Sequence, residues 1–103
     1  MNPAHLTQVI NGRRYDTEKA TLLCSDAWWD GSNHERSGRN RFLYKTGKGN
    51  FFMELLTQWQ EEHEHLEELN QAEAVKFFEE CAEHGTTEMA WELAFPDLTV
   101  EDA

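Results

Sequence analysis

The chain has 103 residues and a formal net charge of −11, with 39% hydrophobic and 12% aromatic residues. This length allows one domain with one modest core, and the aromatic content excludes a disordered chain, which would be poor in aromatic residues. No apolar run approaches the roughly 18 residues of a membrane span, and the N-terminus lacks the basic and apolar parts of a signal peptide. We therefore expect a single cytoplasmic domain over residues 1–103.

The charge is divided unevenly along the chain. Residues 1–50 carry eight basic and five acidic side chains, a net charge of +3. Residues 51–103 carry Lys76 alone against fifteen acidic side chains, a net charge of −14. The domain thus has a basic, hairpin-rich part over residues 1–50 and an acidic part, with a hairpin and helices, over residues 51–103. This asymmetry predicts a folded molecule with one strongly negative face.

Short hairpin and turn signals follow one another in the basic part. Val9–Asp16 contains an Asn-Gly pair between two short runs, which is the strongest local signal for a β-hairpin because both residues tolerate positive φ. Asp16 or Thr17 can cap a single helical turn after this hairpin. Thr21–Ser25 is short and apolar, which predicts a further strand.

A polar, glycine-rich stretch over residues 26–40 predicts a long loop that contains two adjacent tryptophans, Trp28 and Trp29. Adjacent side chains point to opposite sides of an extended chain. One indole is therefore predicted to pack, and the other to be exposed as a contact for a partner. The alternative is that both indoles pack against the base of the loop as part of the core.

Arg41–Leu56 predicts the central hairpin of a small antiparallel sheet. Two apolar and aromatic runs flank the turn Thr46–Asn50, whose glycines supply the positive φ that such loops need. Beyond this hairpin the pattern leaves two alternatives open. Phe52–Leu69 has the apolar spacing of a helix, but Phe51–Gln60 and His65–Leu69 can also form two strands around an acidic turn.

The following region predicts an amphipathic helix over Gln71–His84. Asn70 and Glu73 have the spacing of a capping box, an apolar stripe runs along the helix, and Gly85 stands where a C-terminal glycine is favoured. A second, short helix is predicted over Thr87–Ala94, before a proline. The predicted fold class is therefore α+β, with a small antiparallel sheet of three to five strands packed by one amphipathic helix and a short C-terminal helix.

Several segments, taken in this order, resemble a group of small bacterial proteins found in genomes, plasmids and prophages. The pattern of that group runs Asn-Gly-Lys/Arg-Arg-Tyr-Asp-Thr, then Leu-Tyr-x-Thr-x-x-Gly-x-Phe/Tyr-Phe, then an acidic helix. The resemblance implies a compact α+β domain carried by a mobile genetic element, and it implies no particular activity. The segments that carry it are Ile10–Thr17, Leu43–Phe52, Thr57–Gln60, Gln71–Ala74 and Ala94–Asp97.

The glutamates of the acidic part are the main candidates for a binding site. Carboxylates on the sheet end and the helix have a spacing comparable to that of phosphates in duplex DNA, so they can occupy a basic channel meant for nucleic acid. By size, acidity and resemblance the chain looks like an anti-CRISPR or other anti-defence inhibitor. Its partner would be a protein with a basic surface, such as a CRISPR effector subunit. The residues predicted to bind it are Glu61, Glu62, Glu64, Glu67, Glu68, Glu79, Glu80, Glu83, Trp28 and Trp29.

Two less specific functions are alternatives to the inhibitor hypothesis. The carboxylates can form a solvated face that only keeps the protein soluble. The chain can also be an accessory interaction module of a mobile element, acting as a monomer or a homodimer through its tryptophans. Direct contact with nucleic acid is not expected, because the charge of the acidic part repels phosphate.

Metal and cysteine chemistry were weighed as further alternatives. His63, His65 and His84 with nearby glutamates are a candidate metal site, but no metal-binding motif accompanies them. We therefore expect no metal, no cofactor and no enzymatic activity. Cys24 and Cys81 stand far apart in the sequence, and they are predicted to be small buried apolar residues rather than a disulfide.

Overall fold

Six β-strands and two α-helices form the part of the chain that the computed structural model describes, residues 4–27, 39–57 and 63–102. The elements are β1 (Thr7–Ile10), β2 (Arg13–Asp16), a 3₁₀ turn (Thr17–Lys19), β3 (Thr21–Ser25), β4 (Arg39–Lys45), β5 (Phe51–Thr57), β6 (His65–Leu69), α1 (Gln71–Glu83) and α2 (Trp91–Ala94). β1 and β2 form a two-stranded hairpin, and β3-β4-β5-β6 form a four-stranded sheet in that order, antiparallel throughout. The predicted α+β class is confirmed. None of the helices among these residues is long and apolar enough to cross a membrane.

The central hairpin is the one that the sequence predicts. β4 and β5 pair from Lys45 opposite Phe51 to Arg39 opposite Thr57. The backbone N–H of Thr46 donates to the carbonyl of Asn50 at 2.8 Å, which closes the turn. Gly49 has a φ of 87°, a conformation that the turn requires and that a side chain would strain.

The strand alternative for residues 51–69 is confirmed as far as residue 57 and again over His65–Leu69, and the helix alternative is wrong. β5 lies between β4 and β6, and both of its faces are covered. Its apolar residues therefore run on without strict alternation, a pattern that overlaps with helical spacing. The acidic turn that was predicted between the two strands falls partly outside the described residues.

The four-stranded sheet is covered on both faces, by the two helices on one and by the N-terminal hairpin on the other. On the helix side, Leu43, Phe51 and Met53 pack with residues of α1 and α2. On the hairpin side, Phe52 and Leu66 pack with residues of the N-terminal hairpin. Below, "helix side" and "hairpin side" denote these two faces.

The main helix begins at Gln71 as predicted and ends at Glu83, one residue before the predicted end. The side chain of Asn70 accepts from the backbone N–H of Glu73 at 2.8 Å, and the side chain of Glu73 accepts from the N–H of Asn70 at 2.9 Å. This capping box satisfies two of the free donors at the helix start. At the other end Gly85 has a φ of 73°, which is typical of the residue that follows a helix.

The second helix is shorter than predicted, because it begins at Trp91 rather than at Thr87. The residues before it pair with the edge of the sheet instead. The N–H of Ser25 donates to the carbonyl of Thr86 at 3.3 Å, and the N–H of Glu88 donates to the carbonyl of Leu23 at 2.9 Å. These bonds cover the exposed edge of β3, and they hold the segment in an extended conformation that a helix cannot share.

Cys24 and Cys81 are both fully buried and both free, as predicted. Although far apart in the sequence, they meet on the helix side, where the thiol of Cys81 forms a hydrogen bond with that of Cys24. This bond, together with burial, raises the pKa of Cys24. Both thiols therefore act as small apolar core residues that join β3 to α1.

Candidate protein-binding surface

The outward face of α1 carries three exposed glutamates, Glu79, Glu80 and Glu83, which we call the acidic stripe. The opposite face is buried, through Ala74, Phe77, Phe78 and Cys81. With about 100° per residue, the three carboxylates span roughly 100° of the helix circumference, and Glu79 and Glu83 lie about 6 Å apart along the axis. The apolar pattern that buries one face therefore fixes the stripe on the other.

The negative charge of the stripe is not neutralised by ion pairs within the described part of the protein. None of the ion pairs among the described residues involves Glu79, Glu80 or Glu83. Lys76 is the one cation of residues 51–103, and it lies three and four positions before Glu79 and Glu80 on the same outward face. A lysine that precedes a glutamate by four residues is the less favourable order for an ion pair. The stripe therefore faces water with two more carboxylates than cations.

Glu67 adds a carboxylate on the same side of the sheet. Along β6, Leu66 faces the hairpin side, so Glu67 and His65 project toward the helix side. Nε2 of His65 lies 3.1 Å from Oε1 of Glu67, and Nδ1 donates to the carbonyl of His63 at 2.9 Å. The His63 carbonyl, followed by Glu67, raises the pKa of His65. Glu64 is exposed just before the strand.

Glu68 points the other way and is held, partly exposed, against the N-terminal hairpin. The hydroxyl of Tyr15 donates to Oε2 of Glu68, and Nδ2 of Asn11 donates to Oε1 at 2.6 Å. Nη1 of Arg13 lies 4.0 Å from Oε2. The Tyr15 bond, then the Asn11 bond, lowers the pKa of Glu68. This carboxylate joins the N-terminal hairpin to β6, and its oxygens are already occupied.

A buried carboxyl that the sequence analysis did not single out lies on the hairpin side. Glu54 is fully buried, and the Tyr44 hydroxyl donates to its Oε1 at 3.2 Å. Burial raises the pKa of Glu54, and the Tyr44 bond opposes that rise. The signal was available, because alternation along β5 places residue 54 on the same side as Phe52 and Leu56.

Among the described residues, His63, His65 and His84 do not form a group of close metal-ligand atoms. Among the described residues, the group whose ligand atoms all lie within 4.8 Å of one another is His5, Asp16 and Glu18. Oδ1 of Asp16 lies 3.0 Å from Nε2 of His5 and also accepts from the N–H of Glu18 at 2.9 Å. These contacts tie the N-terminal segment to the turn after β2. No sequence pattern indicates this group, since only the fold of the N-terminal hairpin brings its members together.

Four of the predicted contact residues, Glu61, Glu62, Trp28 and Trp29, lie outside the described residues. Those that the structure does place fall into two groups. Glu64, Glu67, Glu79, Glu80 and Glu83 are exposed, whereas Glu68 is held by the hairpin. An exposed acidic surface on the helix side is therefore the candidate site.

Comparisons with protein-family models, with curated proteins and with solved structures gave no match to this chain. The resemblance to mobile-element proteins stays a prediction, and a function has to be argued from the residues themselves.

Proposed function

We propose that this protein is a binding inhibitor that places its acidic stripe against a basic, nucleic-acid-handling surface of another protein, as an anti-CRISPR or other anti-defence protein. The observation that carries the proposal is the stripe of Glu79, Glu80 and Glu83, exposed on a capped helix and without an ion pair among the described residues. Glu67 extends the negative charge on the same side of the sheet.

The chemistry of the stripe suits such a partner. Its carboxylates repeat at about 6 Å along the helix, the same order as the spacing of phosphate charges along nucleic acid. Arginine and lysine side chains that bind phosphates also bind carboxylates. The net charge of −14 over residues 51–103 would attract a basic surface from a distance and speed the encounter. Occupation of the basic channel then excludes the nucleic acid by competition.

The proposal predicts that binding depends on the charge of the stripe rather than on the total charge. The test variant is E79Q/E80Q/E83Q. The matched control is D97N/E101Q/D102N, which removes the same charge from exposed carboxylates of the C-terminal segment. Association with purified CRISPR effector complexes, and their DNA cleavage, are measured at low and high salt. We expect the stripe variant to associate about tenfold more slowly at low salt, with a weaker salt dependence, and the control to behave nearly as the unchanged protein.

Two results would contradict the proposal. One is an equal loss in the stripe variant and its control, which would reduce the effect to overall charge. The other is an affinity that is indifferent to salt and to the stripe. Thermal unfolding of both variants shows whether the fold is kept, which is expected because all six side chains are exposed.

A further inference from the structure

A cleft of about 530 Å³ opens between β2 with its 3₁₀ turn and the turn that joins β4 to β5. Four cationic residues line it: Arg13, Arg14, Lys19 and Lys48. The chain has nine lysines and arginines in all, so nearly half of its cations border one concave surface of a molecule with a net charge of −11. A cleft of this size is within the range of small-molecule sites.

Most cations of the cleft have no carboxylate partner in the part of the chain that the structure describes. Arg14, Lys19 and Lys48 are exposed and take part in no ion pair among the described residues. Arg13 lies 4.0 Å from Glu68 and so shares its charge with that carboxylate. The one carboxylate in the lining, Asp16, is occupied by His5 and by the N–H of Glu18. Three like charges thus border the cleft without a counter-charge from residues 4–27, 39–57 or 63–102.

We propose that this cleft binds a compact phosphorylated small molecule that carries two or three negative charges. An arginine presents a planar fork of donors that matches a phosphate, and lysines add point charges that need less exact placement. Three unpaired cations call for a ligand of similar total charge. Gly47 also lines the cleft, and a Cβ there would meet nothing within 4 Å.

The size and the surroundings of the cleft favour a small ligand over a nucleic-acid strand. A strand longer than the cleft would extend over a molecule whose residues 51–103 carry a net charge of −14. Repulsion between exposed charges acts over about 8–10 Å at ordinary ionic strength. A compact ligand keeps its charge within the cationic lining. The proposal uses residues of the basic part only and does not depend on the acidic stripe.

Titration calorimetry with inorganic pyrophosphate and with ADP tests this proposal. The informative pair of variants is K48Q, inside the cleft, and K76Q, on the outward face of α1; each removes one exposed lysine charge. We expect K48Q to weaken binding about tenfold, the usual effect of one charge-assisted hydrogen bond, and K76Q to leave it nearly unchanged. R14Q/K19Q/K48Q should abolish binding, while the thermal unfolding midpoint shows that the fold is kept.

Several outcomes would overturn the proposal. Equal weakening by K48Q and K76Q would mean that only the overall charge is felt. Sulfate binding as tightly as pyrophosphate would indicate unspecific anion attraction. Binding of a single-stranded oligonucleotide with no binding of pyrophosphate or ADP would replace the small ligand by a strand. Absence of binding for all three probes would leave the cleft without the proposed role.

Discussion

The two faces of the four-stranded sheet are covered in different ways. On the helix side, Phe95 is the centre of an aromatic cluster, with ring centroids 5.4 Å from Phe78 and 5.5 Å from both Phe51 and Trp91. On the hairpin side, Phe52 lies between Tyr15 at 5.1 Å and Tyr44 at 5.2 Å. Both layers are thus aromatic. On the hairpin side, however, the tyrosine hydroxyl groups also donate hydrogen bonds to carboxyl groups.

The attachments of the two layers also differ. The helical layer is joined to the sheet through backbone bonds, from the residues after α1 to β3. Within the described residues, no backbone-to-backbone hydrogen bond joins the N-terminal hairpin to the four-stranded sheet. Side chains make that connection: Tyr15 and Asn11 bind Glu68, and Gln8 accepts from the N–H of Leu66 at 2.9 Å.

Because of this difference, the two layers are expected to open at different free energies. Local openings occur where few buried contacts and backbone bonds hold a segment. We therefore expect the N-terminal hairpin to separate from the sheet at a lower free energy than global unfolding. The attachment of the hairpin should also depend on pH, because the Glu68 carboxylate accepts hydrogen bonds from two hairpin side chains.

The largest effect is expected from Phe95→Ala on the helix side. Phe95 is fully buried and contacts three other rings. Removal of such a side chain leaves a cavity and costs about 3–5 kcal/mol. That is a large share of the roughly 5–15 kcal/mol that stabilise a typical domain. Urea unfolding followed by tryptophan fluorescence measures the loss. A loss below about 1 kcal/mol would mean that the layer is held by something other than this cluster.

A smaller effect is expected from Tyr15→Phe on the hairpin side, present above the ordinary pKa of Glu68 and fading as the pH falls. The Tyr15 hydroxyl is the main cause of the lowered pKa of Glu68, whose ordinary value is 4.5. A lowered pKa in the folded state stabilises the protein above that ordinary value. The stabilisation is lost as the pH falls through the folded-state pKa. The variant should therefore show a shallower acid dependence of the unfolding free energy, while Phe95→Ala should keep the slope. An unchanged slope in Tyr15→Phe would contradict the role of this bond.

Glu54→Gln provides the control of opposite sign. The pKa of Glu54 is raised from 4.5 by burial, so the folded state holds a proton that the unfolded state has lost. Stability then falls as the pH rises from that value to the raised pKa. The glutamine variant should not show this fall in the unfolding free energy with rising pH, whereas Tyr15→Phe should still show it. Both carboxyls lie on the hairpin side, so these two pH responses belong to that layer.

Local signals in the sequence were sufficient for most of the fold. The Asn-Gly pair, the turn Thr46–Asn50 and the capping box of Asn70 and Glu73 act within a few residues, and each forms as predicted. The start of α2 could not be found in this way. Helix propensity after Thr87 is overridden by pairing with β3, which lies more than sixty residues earlier.

The candidate site was predictable only in part, for the same reason. Glu79, Glu80 and Glu83 follow from the helical period, because a buried stripe defines the face opposite to it. The orientation of Glu68 depends on which strand its neighbours contact, and its partner Tyr15 is 53 residues away. The cationic cleft likewise joins two turns that are distant in the sequence. Charge composition gave the sign of the surface, and the tertiary fold decided which charges remain exposed.

The smallest expected effect comes from variants of two matched glycines. These variants distinguish most directly between opening of the hairpin and unfolding of the whole molecule. Gly12, in the hairpin, and Gly85, after α1, have φ values of 77° and 73°, and an added Cβ meets nothing within 4 Å at either site. Alanine at either position therefore adds only backbone strain, about 1–2 kcal/mol. If the hairpin opens first, Gly12→Ala accelerates amide exchange in β1 and β2 about 5–30-fold. Gly85→Ala would leave the exchange rates of those amides unchanged, because its strain persists in the state with an open hairpin. It would accelerate exchange only at the amides that exchange through global unfolding. Equal acceleration of every amide in both variants would show that the two layers unfold as one.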